Sequence, residues 1–179
     1  MPDVARLVVG TLDGAQYVTL SDTLASITDL AFTPEGVLVI GGTEGARAAL
    51  ELRDGADPTR IVARLDVGDD ARVVEVAAAR EGAAIVVATT NHLYAIDGER
   101  VRLLGSSDVA LRSVDLTPSG DHAFTVDASG TLIARSTADG VELARTSITA
   151  GFGVRIDATG QRIVVGATDA MLHVLACSR

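Results

Sequence analysis

The chain has no lysine and no tryptophan, a single cysteine and four prolines, and aromatic residues make up only 3% of its 179 positions. Each scarcity narrows the reading. One cysteine, Cys177, excludes an intramolecular disulfide and fits a cytoplasmic protein; at the end of a strand it reads as a small apolar side chain rather than a nucleophile. No apolar run approaches the roughly 18 residues of a membrane span. The opening MPDVARLVVGTLDG has no basic leader and no long apolar stretch, so neither a signal peptide nor membrane association is expected. All fifteen basic residues are arginine, set against 24 carboxylates for a net charge of −9. Without a basic stripe to displace counterions from phosphates, nucleic acid is not an expected partner. Few rings also leave few platforms for stacking sugars or bases.

What the chain has is alternation. From Leu111 to Thr146, apolar and polar or small residues alternate at period two, broken by TPSGD, DASG and TADG, which reads as four short strands joined by turns. Glycine supplies positive φ at such breaks, and proline and aspartate preset or self-bond the turn. Copies of this stretch fill most of the rest. The marker is the glycine after the first strand of each unit, Gly36, Gly82, Gly120 and Gly160, spaced by 46, 38 and 40 residues. A period near forty with four strands per unit is the pattern of propeller blades.

With strands lettered a to d from the axis outward, the first unit places a at 27–32, b at 37–41, c at 48–53 and d at 60–66, its long DGADPT connection accounting for most of the 46-residue spacing. The second runs 73–77, 84–88, 93–97 and 100–104, with Asp97-Gly98 as a tight c–d turn. The fourth runs 154–157, 162–166 and 172–177 and has no d strand. Ahead of the first unit lies another hairpin. RLVVGTLDGAQYVTL aligns with RIVVGATDAMLHVLA as b–c, whereas counting back from Gly36 makes Gln16 to Leu20 a d strand. The second alignment is preferred, because the few residues between Leu20 and Thr28 leave no room for another strand.

The sequence therefore predicts an all-β fold: one propeller domain over 1–179, with an N-terminal closing hairpin at 1–22 and blades at 27–66, 73–104, 111–148 and 152–177. Propeller edges need protection, and an N-terminal d strand beside a C-terminal blade lacking d suits ring closure. Closure as a four-bladed ring or a split propeller shared with another chain stays open. The preferred form is an eight-bladed ring made by a homodimer, with Arg6, Val8, Tyr17, Val18 and Leu20 at the head and Leu172, Val174 and Leu175 at the tail forming the interface.

ITDLAFTPEG and LRSVDLTPSGD resemble the a strand and following turn of WD-repeat and YVTN-type propellers, and VLVIGGTEG, AFTVDASGTLIA and RIVVGATDAMLHVL resemble their b strand, turn and c strand. The likeness covers nearly the whole chain. It departs in having no Trp-Asp dipeptide and no Gly-His before an a strand, so the Asp–His–Ser–Trp network of that family is not expected. What the resemblance implies is a rigid disc that holds protein partners on its faces.

On that geometry the d–a and b–c turns share one face and carry Asp13, Asp22, Glu44, Asp69, Asp70, Asn91, Asp108, Asp127 and Asp169. Such a ring of carboxylates draws basic partners and is the place for a cation, with Asp69, Asp70, Asp13 and Asp127 as weak metal candidates. The simpler reading of Asp13, Asp127 and Asp169 is that each bonds its own turn backbone. His92, His122 and His173 occupy inequivalent positions and do not converge on a hydrolytic triad. DGADPTR and DVGDDAR lack the spacing of a calcium loop. The expected function is a non-catalytic interaction scaffold that self-associates and carries no cofactor; the alternative is a ligand-binding, metal-binding or catalytic propeller with its site at the acidic channel mouth.

Overall fold

The computed structural model describes residues 6–11, 14–19, 24–149 and 151–176, with side chains from residue 24 onward. Among the described residues there are seventeen strands and no helix. Three four-stranded antiparallel sheets follow one another: β3 (Ser26–Phe32), β4 (Val37–Glu44), β5 (Arg47–Asp54) and β6 (Ile61–Asp66); β7 (Val73–Ala78), β8 (Ile85–Thr89), β9 (His92–Asp97) and β10 (Arg100–Ser106); β11 (Leu111–Leu116), β12 (His122–Asp127), β13 (Thr131–Ser136) and β14 (Glu142–Ser147). A three-stranded sheet, β15 (Gly151–Ile156), β16 (Arg162–Ala167) and β17 (Leu172–Ala176), ends the series. Each sheet is a simple meander, so the blade reading of the alternation holds, with strand ends displaced by a few residues at most.

The turn after each inner strand explains why the repeat is visible. Gly36, Gly82, Gly120 and Gly160 all have positive φ, between 70° and 92°, a region that a side chain disfavours. Three residues earlier a polar side chain closes the turn in three of the four blades. The Thr33 and Thr117 hydroxyls accept from the amides of Val37 and His122, and the Asp157 carboxylate accepts from those of Gln161 and Arg162. A second repeated device was hidden in the strands. Each a strand bulges against its b strand at the same place, between Ile27 and Asp29, Val73 and Glu75, Leu111 and Ser113, and Gly151 and Gly153. A bulge raises the local twist and redirects the next side chain.

Packing is between blades. Val39, Leu50, Leu52 and Leu65 of the first meet Val73, Val76, Ile85 and Val87 of the second. Val86, Leu93 and Leu104 of the second meet Leu111, Val114 and Leu116 of the third, and Phe124, Val126 and Leu132 of the third meet Val154, Ile156 and Ile163 of the fourth. Inner strands therefore neighbour one another in chain order, β3 to β7 to β11 to β15, and β15 does not pack back on β3 in the same manner.

The hairpin β1 (Arg6–Thr11) and β2 (Gly14–Thr19) forms a two-stranded sheet of its own. Among the described residues no N-terminal strand pairs with the last blade, and β17 has a strand on one edge only. The six-residue step from β2 to β3 equals the step from β6 to β7, in keeping with β2 standing in a d position.

Candidate functional site

An inner strand is the edge of its sheet, so half of its amides have no ladder partner. The residue after each bulge meets that need for the next blade. Asp29 accepts the Val76 amide at 2.8 Å, Glu75 accepts the Val114 amide at 2.8 Å and the Ser113 hydroxyl, and the Ser113 hydroxyl oxygen accepts the Val154 amide at 3.1 Å. Asp115, two residues on, takes the Ile156 amide at 2.7 Å. These side chains stitch four blades together around the axis. The sequence reading missed them, although a signal existed: Asp29, Glu75 and Ser113 each sit seven residues before the marker glycine on an otherwise apolar strand. The fourth blade has Gly153 there and offers no acceptor.

Arg155 enters this row from the last blade, bonding Glu75 at 2.6 Å across the intervening blade and the Ser113 hydroxyl at 3.2 Å. Burial works against its charge, but Glu75 and then Asp115 and Asp29 outweigh it and hold the guanidinium above its ordinary pKa. The axial surface is thus acidic, with one arginine bound into it.

On the face that carries the d–a and b–c turns, the two sets of turns bond each other. The amides of Ala48, Ser107, Leu111 and Ala128 donate to Asp70, Asn91, Thr90 and Ala110 carbonyls at 2.8 to 2.9 Å. Of the predicted carboxylates on this face, Asp69, Asp70, Asp127 and Asp169 are committed to local bonds. Asp70 accepts from His92 Nδ1 at 2.8 Å, from the Asn91 amide at 3.2 Å and from the Thr89 hydroxyl. Burial raises its pKa, yet these donors prevail and hold it below the usual carboxylate value. The same carboxylates act on Tyr94, whose pKa is pushed up by burial and then by Asp70, Asp69 and Asp66. Asp69 is exposed and pairs with Arg47 at 2.7 Å. Asp127 is buried and accepts the Ser129 and Thr131 amides of its own turn, as the simpler reading held. Asp169 accepts the Met171 amide. Asp13 and Asp22 lie outside the described residues, as do Leu20 and Cys177. Among the described residues no group of three or more His, Cys, Asp or Glu is arranged around a metal position.

The Asp70, His92 and Thr89 cluster ties a d–a loop to a b–c hairpin. It is a polar network where none was expected, assembled from residues in an order the missing Trp-Asp signature did not suggest. A second one lies on the first blade, where Arg53 grips Glu51 through Nε at 2.8 Å and Nη2 at 2.5 Å and donates to the Pro58 carbonyl at 2.6 Å. Both side chains are almost fully buried.

The two ends of the series are apolar and open. On the first blade Leu30 and Phe32 are 44% and 55% exposed, whereas Val114, Leu116, Val154 and Ile156 at the matching positions are buried by a preceding blade. On the last, Leu172 and Val174 are 73% and 62% exposed, whereas their counterparts Leu132 and Ala134 are covered by a following blade. Leu175 points the other way, packing onto the core between the third and fourth blades. Arg6, Val8, Tyr17 and Val18 fall on β1 and β2. Beside β17 lies a groove of about 1070 Å³ between the third and fourth blades, lined by Phe124, Leu132, Ala134, Ile163 and Leu175 with Ala144 and Thr146 of β14 along one wall. Every residue of β14 is exposed. The equivalent β6 and β10 bury Leu65 and Leu104, and β6 is met by β10. The groove is where the fourth blade lacks its outer strand.

Bladed four-stranded meanders packed face to face around an axis define a β-propeller. Among solved structures, the chain is similar to the β-propeller domain of Cps50 (Swd1) from Myceliophteria thermophila, with a TM-score of 0.74 and 17% identity over 97% of this chain. It spans 62% of that chain's length. It is also similar to the computationally designed Ika4 protein, with a TM-score of 0.73 and 16% identity over 89% of this chain and 96% of the other. No protein-family profile matches the sequence, and no curated protein matches it. Among the described residues no helix is long and apolar enough to cross a membrane.

Proposed function

We propose that the chain is a non-catalytic, WD-like interaction scaffold that completes an eight-bladed ring by pairing with a second copy of itself and holds protein partners on the finished disc. The observation that carries this reading is the pair of open apolar ends, Leu30 and Phe32 at the head and Leu172 and Val174 at the tail, on blades whose interior counterparts are buried. Exposed apolar area of this kind marks an interaction surface. A head and a tail of different shape make a heterologous contact, which closes only if the rotation between copies completes a circle; in the proposed ring each four-bladed arc spans half a turn. The net charge of −9 and the acidic axial row favour basic partners, and the compartment that suits a reduced Cys177 is the cytoplasm.

Native mass measurement and light scattering at micromolar concentration test the proposal. A closed dimer is expected; a strictly monomeric species at every concentration, or an open-ended polymer, would reject it.

A further inference from the structure

We infer that the groove between the third and fourth blades is a strand-acceptor site, and that its occupant is strand β2 of a second copy of this chain. The inference rests on the self-association proposed above and names the element that performs it.

Two unpaired sheet edges are present. Among the described residues β17 pairs with β16 alone, and β2 pairs with β1 alone. Such edges are completed by addition of an extended segment, with main-chain bonds supplying affinity and side-chain pockets supplying register. The groove beside β17 has those pockets, since Phe124, Leu132, Ile163 and Leu175 line it and Ala144 stands exposed on the wall. At the corresponding place between the first and second blades, Val101 of the outer strand β10 packs on the core that holds Leu65 of β6. A fourth strand beside β17 would cover β14 in the same way.

The donor is β2 for a topological reason. It runs into β3 through six residues, as β6 runs into β7, so it occupies the outer position of whichever blade precedes the first. Only a blade with inner strands and no outer one can take it, and β15, β16 and β17 make such a blade. Within one chain the two do not pair, because among the described residues β1 and β2 form a separate sheet and β15 does not pack on β3 as successive inner strands do. Seating β2 against the β17 of another copy also brings the open face of that copy's last blade, Leu172 and Val174, onto Leu30 and Phe32. β1 then lies outside as a fifth strand.

Hydrogen exchange of the full chain, read at micromolar concentration and after dilution, tests this. Amides of residues 172–176 and 14–19 are expected to exchange slowly together in the dimer and to speed up together on dilution. Ala144→Arg, placed on a residue already exposed, is expected to weaken the dimer at least about tenfold and restore fast exchange at 172–176, whereas Glu99→Arg in the exposed β9–β10 turn leaves both unchanged. A dimer whose 172–176 amides stay unprotected would overturn the strand-acceptor site while leaving self-association intact. Protection of 172–176 in a monomer would overturn the second copy as donor, and a monomer without protection would overturn both proposals.

Discussion

At Gly120, φ is +82° and a Cβ would come within 2.5 Å of the Ala84 Cβ and 3.0 Å of the Ala79 Cβ. Backbone conformation and space therefore both demand glycine, since an alanine would be strained at positive φ and overpacked against the second blade. Gly120→Ala is expected to cost about 2 kcal/mol, read as a lowered denaturation midpoint with an unchanged urea slope. Gly36, whose Cβ would meet nothing within 4 Å, separates the two causes. Its alanine variant carries only the backbone strain and should cost less. A different residue-scale cost attaches to Arg53. Removing it takes the two-pronged partner from the buried Glu51, which keeps its longer ion pair with Arg64 at 3.5 Å, so Arg53→Ala is expected to lose about 3 kcal/mol, measured by the same titration. Arg47, whose pair with Asp69 is exposed, should lose about 1 kcal/mol or less when replaced by alanine.

Asp70 adds a pH term. Its pKa is depressed in the folded chain by the Thr89, His92 and Asn91 donors, so the unfolded chain takes up a proton first as pH falls. Its stabilisation is therefore complete above the unfolded value of about 4 and disappears as pH drops through the lower folded value. The thermal midpoint should hold steady down to about pH 4 and fall below it, and Asp70→Asn should lower the neutral-pH midpoint while flattening part of the acid limb.

At the scale of the element, the inner strand is the part that distinguishes this propeller. Its amides are met by side chains from the blade before: Asp29 for Val76, Glu75 for Val114, Ser113 for Val154. Glu75 serves three groups, the Val114 amide, the Ser113 hydroxyl and Arg155. Glu75→Ala is expected to cost about 2 to 3 kcal/mol, because a charge-assisted acceptor is lost and the buried Val114 amide is left without one. A double-mutant cycle with Arg155→Ala checks the coupling, and an additive result would mean that the 2.6 Å contact is not an energetic one. The strands themselves were readable in the sequence, because period-two alternation in Leu111–Leu116 or Ala123–Val126 is a local property of the chain. The bulges were not. Nothing in ITDLAF or LRSVDL announces which residue is skipped, since a bulge arises from how the strand twists against its partner.

For the whole molecule, the question is how an arc of four blades protects its ends. The open head at Leu30 and Phe32 and the open tail at Leu172 and Val174 present apolar area that inner blades bury. Leu172→Asp is expected to leave the chain folded, since the side chain is 73% exposed, and to raise the dissociation constant of the proposed dimer by about tenfold or more, as loss of a central apolar contact does. Sedimentation equilibrium would show it; a dimer unaffected by this change would place the contact elsewhere. Salt should matter little for the apolar contact and more for any basic partner recruited to the acidic axis.

Repeat length, strand number and the turn glycines followed from the order of residues, because they depend on neighbours a few positions apart: Gly36, Gly82, Gly120 and Gly160 mark their turns whatever surrounds them. The three-strand tail and the two-strand head were legible for the same reason. Which carboxylates matter was not. Asp127 was read as bonding its own turn and does so, but nothing in the order of residues sent Asp70 to His92 and Thr89, while Asp29 and Glu75, unremarked on their strands, became the links between blades. Contacts such as Arg155 with Glu75 join positions 80 residues apart, and a linear pattern holds no record of which distant groups the packing of one blade on the next will bring within bonding distance.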